Sequence, residues 1–266
     1  MELVDTHCHL THRRYDEDRD AVRARAAEAG VRRVVTIASD ARDGERVADL
    51  VGAVSEGEAD SHGAAELFGT AGVHPHESGK AEAGDLERIR ETLGSRDRMV
   101  AVGETGLDYH YDHSPRDHQR RLFVAHLELA DELGLPVVVH SREAEDDTRA
   151  ILRDLPPGVQ GVLHCFSGSG DLMDAALEAG WMVSFTGLVT FPNYDGGELV
   201  ARVPPDRYML ETDGPYLAPA PYRGKRNEPA RVREICHRMA ELRGEEPEEV
   251  ARRTTGNALH FFGLPG

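Results

Sequence analysis

Short apolar runs recur along the chain at 3–7, 34–38, 67–73, 99–102, 137–140, 162–165, 182–185 and 208–210. Between them lie longer stretches whose apolar positions follow a helical period, at 16–29, 42–54, 116–133, 144–152 and 171–179, and the part from Pro229 onward reads as two more. Gly30, Gly134 and Gly180 follow three of these stretches as helix stops, and Pro136 precedes a strand. Eight short runs alternating with amphipathic segments predict repeated β/α units. Residues 55–66, rich in Gly, Glu and Ala, read as an extended loop before the third strand and carry no assigned function. No low-complexity linker, short repeat or composition break interrupts the pattern, so a single domain over residues 1–266 is expected. That length is close to the roughly 250 residues of one (β/α)8 barrel.

The polar residues sharpen the prediction. Six of the eight runs end in a cluster of His, Asp or Glu: DTHCH, GVHPH, GETGLD, VVHSR, LHCFSG and LETDGP. In barrel enzymes the active site collects residues from the C-terminal ends of several strands, so one mouth could receive all six. A closed TIM-like (β/α)8 barrel is therefore the expected fold, and an open doubly wound α/β sheet, which alternates in the same way, is the alternative.

Composition restricts the function classes. Against 31 Lys and Arg stand 48 Asp and Glu, a formal net charge of -17, which argues against a generic basic nucleic-acid binder. Lys80 and Lys225 are the only lysines. So acidic a surface suits molar salt, where the screening length falls to about 3 Å. No apolar run approaches the roughly 18 residues needed to cross a bilayer, and MELVDTHCHL lacks the basic and apolar segments of a secretory signal, so a cytoplasmic location without membrane partners is expected. Cys8, Cys165 and Cys236 have no metal-binding or redox spacing and read as reduced, buried thiols.

His7 and His9 are one residue apart, so in an extended strand both imidazoles point to one face, with Asp5 on the same side and Cys8 opposite. Glu104, His140, His164 and Asp213 follow other apolar runs at equivalent strand ends. Four imidazoles and two carboxylates form a borderline donor set, better suited to Zn²⁺ or Mn²⁺ than a purely oxygen site would be. Six protein ligands exceed the three of a usual catalytic zinc and divide well between two ions. Two divalent ions per chain, zinc, manganese or magnesium, are expected.

DTHCHL, GVHPH, GETGLDY, SPRDHQ, LGLPVVVHSREA, LHCFSG, SFTGLVTF and LETDGPYLAP together resemble the successive signatures of the TatD-type metal-dependent deoxyribonucleases, in order and across essentially the whole chain. The resemblance implies a TIM-like barrel of the amidohydrolase-like, metal-dependent hydrolase type. It implies that His7, His9 and Glu104 hold one metal, that Glu104, His140 and His164 hold the other, and that Asp213 is a ligand beside the first and the partner of the attacking water. Gly214, often alanine or serine in the family, and Pro192, often lysine, depart from the pattern without removing a ligand.

The resemblance also implies phosphodiester hydrolysis, with DNA cleaved from an end in the 3'-5' direction and DNA or another phosphodiester as the only partner expected. His74 is a candidate donor to a phosphate oxygen. Residues 220–227, APYRGKRN, make a basic island whose Arg223 and Lys225 are candidate phosphate contacts, joined by Arg226. Tyr109 is a candidate for stacking on a base. Ser167 and Gly168 read as a helix start. His12, His62, His110, His113, His118, His126, His237 and His260 are assigned no metal, and Glu143 and Asp147 read as the charged start of a helix. The rival functions are hydrolysis of an amide, lactone or aminoacyl ester on the same metals, and a non-catalytic metal-stabilised scaffold. Against the first, such barrels often use a carboxylated lysine, and neither lysine here ends a strand.

Overall fold

The computed structural model describes residues 1–56 and 63–266. Its eight strands are parallel and lie in one sheet in sequence order, with helices between them: the TIM-like (β/α)8 barrel. By their contacts the residues fall into two compact units, Met1–Thr36 with Val51–Phe68 and Ser184–Gly266, and Ile37–Leu50 with Gly69–Val183.

The first unit contains β1 (Leu3–Cys8), α1 (Arg19–Glu28) and β2 (Val31–Thr36), and later α7 (Gly197–Arg202), β8 (Tyr208–Leu210), α8 (Val232–Arg243) and α9 (Pro247–Phe262). β1 pairs with β2 from Leu3↔Val31 to Cys8↔Thr36. The last strand returns to the first: the Thr6 hydroxyl donates to the Leu210 carbonyl at 3.0 Å, the Asp213 amide donates to the His7 carbonyl at 2.8 Å, and Cys8 bridges Gly214. These contacts join the two ends of the sheet, which decides for the closed barrel over the open one.

β2 begins three residues before the expected run at 34, because Arg32 and Arg33 had hidden its start. Arg33 is buried and meets the Glu2 carboxylate at 2.9 Å, so a charged residue occupies an interior strand position with its charge matched.

The second unit contains α3 (Asp85–Gly94), β4 (Met99–Asp108), α4 (Arg116–Leu133), β5 (Val137–Arg142), α5 (Glu145–Arg153), β6 (Gly161–Leu163) and α6 (Gly170–Glu178). Across the boundaries run α2 (Ala41–Glu56), β3 (Glu66–Ala71) and β7 (Met182–Phe185). α4 shows why such a segment folds: Phe123, His126, Leu127 and Ala130 are buried along one stripe at helical spacing, and Gly134, at φ 63, takes the left-handed conformation that ends the helix. Burying Phe123 or Leu127 contributes roughly 1.5–3 kcal/mol each.

Several sequence expectations change here. α3 and α7 add to the helices that the periodicity marks. β4 continues six residues past the expected 99–102, and every residue in it is buried, including Glu104, Thr105 and Asp108. Ser167 and Gly168 do not open a helix; α6 starts at Gly170, where the Ser169 hydroxyl accepts from the Leu172 amide and itself donates to Glu145. Of the expected loop at 55–66, residues 55–56 end α2, Glu66 starts β3, and 57–62, with His62, lie outside the described residues. Cys8 and Cys236 are buried as expected, whereas Cys165 is half-buried. No helix among the described residues is long and apolar enough to cross a membrane.

Candidate metal sites

In the first unit, β1 brings His7 and His9 to its C-terminal end. Their Nε2 atoms stand 3.3 Å apart, and Asp213 Oδ1 lies 3.7 Å from the first and 3.6 Å from the second. The backbone closes this triangle, since the His9 amide donates to the Gly214 carbonyl at 2.7 Å and the Asp213 amide to His7. Asp5, placed by the sequence on the face of the two histidines, has a different task. Its carboxylate accepts from the Thr212 amide at 2.8 Å, from the Thr212 hydroxyl and from the His7 amide, and so ties β1 to the segment carrying Asp213. Burial pushes the Asp5 carboxyl up to about 8, against the pull of its bonds to Thr212.

The loop 220–227 belongs to the same unit. Arg223 and Lys225 are exposed, and the Arg223 guanidinium lies 3.4 Å from the centre of the Phe191 ring. Arg226 departs from the expected island. It binds both oxygens of Asp18 at 2.6 and 2.8 Å, and that hydrogen bonding raises Arg226 and lowers Asp18 to about 2. Asn227 anchors the loop end by accepting the Tyr15 hydroxyl at its carbonyl and donating to the Thr212 carbonyl.

In the second unit, Glu104 is held in β4 at 1% exposure, its amide donating to the Ala38 carbonyl. Its Oε1 lies 2.7 Å from His164 Nε2 and 3.3 Å from His140 Nδ1, and those two nitrogens are 3.1 Å apart. The backbone fixes both rings: Gly106 pairs with His140, and the His164 amide donates to the Val139 carbonyl. Gly106 is required by this approach. At φ +123, a Cβ there would stand 2.0 Å from the His140 carbonyl oxygen.

His140 Nε2 faces Asp108 Oδ2 at 3.1 Å. A carboxylate only accepts, so Nε2 is the donor to Asp108, and with an ion bound the Nδ1 lone pair would be free to ligate it. His76 Nε2 donates to the same Asp108 oxygen at 2.8 Å, while the other oxygen accepts the His110 and Tyr111 amides at 3.0 and 2.8 Å. Burial pushes the Asp108 carboxyl up, but the bonds from His140 and His76 hold it well below the usual carboxylate range. His140 is raised, burial pulling it down and the hydrogen bonds to Asp108 and Glu104 more than offsetting this.

His74 sits 3.5 Å from Glu104 Oε1 through Nε2, while its Nδ1 accepts the His76 amide at 3.0 Å. With Nδ1 taken by the His76 amide, Nε2 is the atom His74 directs into the site, where His74, Glu104 and His140 also stand close enough together to share an ion. The chain enters His74 through a buried support that the sequence did not reveal: His126 Nε2 accepts the Val73 amide at 3.1 Å and Nδ1 donates to the Leu122 carbonyl at 2.7 Å.

Tyr109, the candidate for stacking, is engaged within the protein. Its hydroxyl donates to Asp147, Arg120 binds both, and the Arg116 guanidinium lies 4.2 Å from its ring centre. Tyr111, two residues on, is 52% exposed.

Each unit thus presents two imidazole nitrogens and one carboxylate oxygen with separations of 2.7–3.7 Å. Ligands at about 2.0–2.2 Å from a common ion stand roughly 3–3.5 Å apart, so both donor sets fit a Zn²⁺-like or Mn²⁺-like ion in spacing and chemistry. Among the signals within reach of sequence, Asp108 lies four residues past Glu104 in an extended run and so on its face.

The chain belongs to the TatD-related DNase family, whose model matches residues 4–263. It is 37% identical to the metal-dependent hydrolase YabD of Bacillus subtilis over 262 residues, 98% of each chain. It is 35% identical to the 3'-5' ssDNA/RNA exonuclease TatD of Erwinia billingiae, across 99% of this chain and 100% of that one. The crystal structure of the TatD homologue YjjV from Escherichia coli superposes with a TM-score of 0.88 at 31% identity, covering 99% of this chain and 98% of that chain. The protein is accordingly a metal-dependent hydrolase of the TatD family on a TIM-like barrel.

Proposed function

We propose that this hydrolase cleaves phosphodiester bonds and acts as a deoxyribonuclease that removes nucleotides from a single-stranded 3' end, with RNA as a second substrate. The observation that carries the reading is the pair of His–His–carboxylate donor sets, one in each unit, together with membership of a family that includes 3'-5' ssDNA/RNA exonucleases. His7, His9 and Asp213 would hold one divalent ion and Glu104, His140 and His164 another. Bound ions would lower the pKa of the attacking water and neutralise charge building on phosphorus.

The protein's own groups supply the rest. Asp213 orients the water and takes its proton, a role for a carboxylate held between two imidazoles with 15% of its side chain open to solvent. His74 donates its Nε2 proton to a non-bridging phosphate oxygen, a direction set by the backbone amide bound at Nδ1. Arg223 and Lys225 hold a neighbouring phosphate from an exposed loop in an otherwise acidic chain.

The test is hydrolysis of single-stranded DNA, duplex DNA, RNA and a chromogenic phosphodiester by chelator-treated protein resupplied with Zn²⁺, Mn²⁺ or Mg²⁺. Asp213→Asn keeps one coordinating oxygen and removes the base, so turnover should fall roughly 10²–10⁴-fold while metal affinity falls less than in Glu104→Ala. Near-normal turnover in Asp213→Asn with both ions bound would reject Asp213 as the base, and no hydrolysis of any of the four substrates would reject the phosphodiester reading.

A further inference from the structure

The exposed aromatic surface beside His140 is not accounted for by the metal chemistry. Tyr111 is one of the few large apolar side chains on the surface, at 52% exposure. His113 stacks on it with ring centres 5.5 Å apart and planes 18° from parallel, and the Arg142 guanidinium lies 4.8 Å from the ring centre. His110 and His76 meet the ring nearly at right angles, at 4.8 and 5.5 Å.

Two carboxylates, exposed Glu143 and buried Asp108, hold this cluster in place. His110 Nδ1 binds Glu143 at 2.6 Å. Asp108 accepts the amides of His110 and Tyr111 on one oxygen and the His76 and His140 rings on the other, so a single carboxylate fixes both the tyrosine's backbone and a metal-ligating imidazole. A ring placed this way loses little freedom when a flat ligand lies against it.

We propose that the Tyr111–His113 pair, with Arg142, is a stacking subsite for a nucleobase of single-stranded nucleic acid. The choice of ligand rests on the phosphodiesterase reading above. Chemistry favours the base over the phosphate: Glu143 and Asp112 stand at this surface and repel an anion, whereas an aromatic ring with a guanidinium attracts any base through its π-face. Stacking needs no counter-ion release, so it supplies affinity that a chain of net charge -17 does not obtain from cations.

Binding to a fluorescently labelled, phosphorothioate-linked hexanucleotide, which resists cleavage, tests the subsite against an abasic strand of the same length and linkage. Tyr111→Ala should weaken binding of the base-bearing strand by roughly 5- to 150-fold, the span of one base–aromatic stack, and leave the abasic strand within about twofold. Tyr111→Trp should retain the base-dependent affinity, and the loss in Tyr111→Ala should be the same at 50 and 300 mM salt. Circular dichroism confirms that the variants are folded. Equal loss on both strands, or no loss on either, would overturn the proposal. Base-dependent binding that needs Tyr111, in a wild type that cuts no unmodified strand, would uphold the subsite and reject phosphodiester hydrolysis.

Discussion

His126 is completely buried, and both ring nitrogens are committed: Nδ1 donates to a carbonyl, and Nε2 accepts an amide at the entrance to His74. Protonation would put a second N–H against the Val73 N–H in a place that water cannot reach. Burial accordingly lowers the group from 6.5 to about 4. Because the folded value is depressed, the unfolded chain binds the extra proton between about pH 6.5 and 4, so stability must fall as pH falls through that window. One proton over some two and a half pH units, at 1.36 kcal/mol per unit, amounts to about 3 kcal/mol, of which roughly 2–3 is lost by pH 4.5. His126→Gln provides the comparison, since its amide accepts and donates in the same two directions without titrating. Urea unfolding with chelator present, at half-unit steps from pH 7.5 to 4.5, should show the variant gaining on the wild type by about 2–3 kcal/mol toward acid, the remaining groups cancelling in the difference. A wild-type-minus-variant difference that stays flat across pH 6.5 to 4.5 would refute the buried, neutral ring.

Three further outcomes are expected. Asp108→Asn removes the charge that orients His140, and should weaken divalent-ion binding about 10–100-fold in metal titrations followed by calorimetry. Gly106→Ala drives a methyl into the His140 carbonyl at a backbone angle that side chains avoid, and should cost roughly 2–6 kcal/mol, read as a lowered urea midpoint. Replacing Arg223 and Lys225 together by alanine should raise KM for an oligonucleotide more than for a chromogenic diester, and should lower the slope of log binding constant against log salt by about 1.4, about 0.7 for each lost contact on a single strand.

The strands and the candidate donors were legible because each candidate is a polar residue ending an apolar run, a signal that survives without any knowledge of packing. Interior polarity hid the rest. Arg33 reads as a break until its pairing with Glu2 is seen, and β4 reads as four residues because Glu104, Thr105 and Asp108 are buried where sequence patterns expect apolar side chains. α3 has few apolar positions among its charges, with Ile89, Thr92 and Leu93 carrying its buried face. Substrate contacts were harder still. The partner of Arg226 lies 208 positions away at Asp18, so the sequence cannot tell a latch from a phosphate contact. Tyr109 and Tyr111 look alike in sequence, and only the structure shows that the Tyr109 hydroxyl meets Asp147 while Tyr111 is exposed to solvent.

The acidic balance of the chain, first an argument against nucleic acid, acquires a different meaning once its cations are located. Arg226 binds Asp18, Arg25 binds Glu228, Arg120 binds Asp147, Arg116 binds Asp112 and Arg33 binds Glu2, so much of the positive charge serves the fold. A protein built this way gains little from the phosphate ladder of a duplex, where affinity scales with the number of phosphates neutralised. Under the proposed function a strand end asks for less: few phosphate contacts, and a base that is free to stack because it has left its own helix. Duplex bases are already stacked and present their π-faces to one another. The same distribution of charge that makes a poor duplex binder is therefore consistent with a hydrolase selective for single-stranded ends, and that selectivity should widen as salt is raised, because the stacking and metal contributions are screened least.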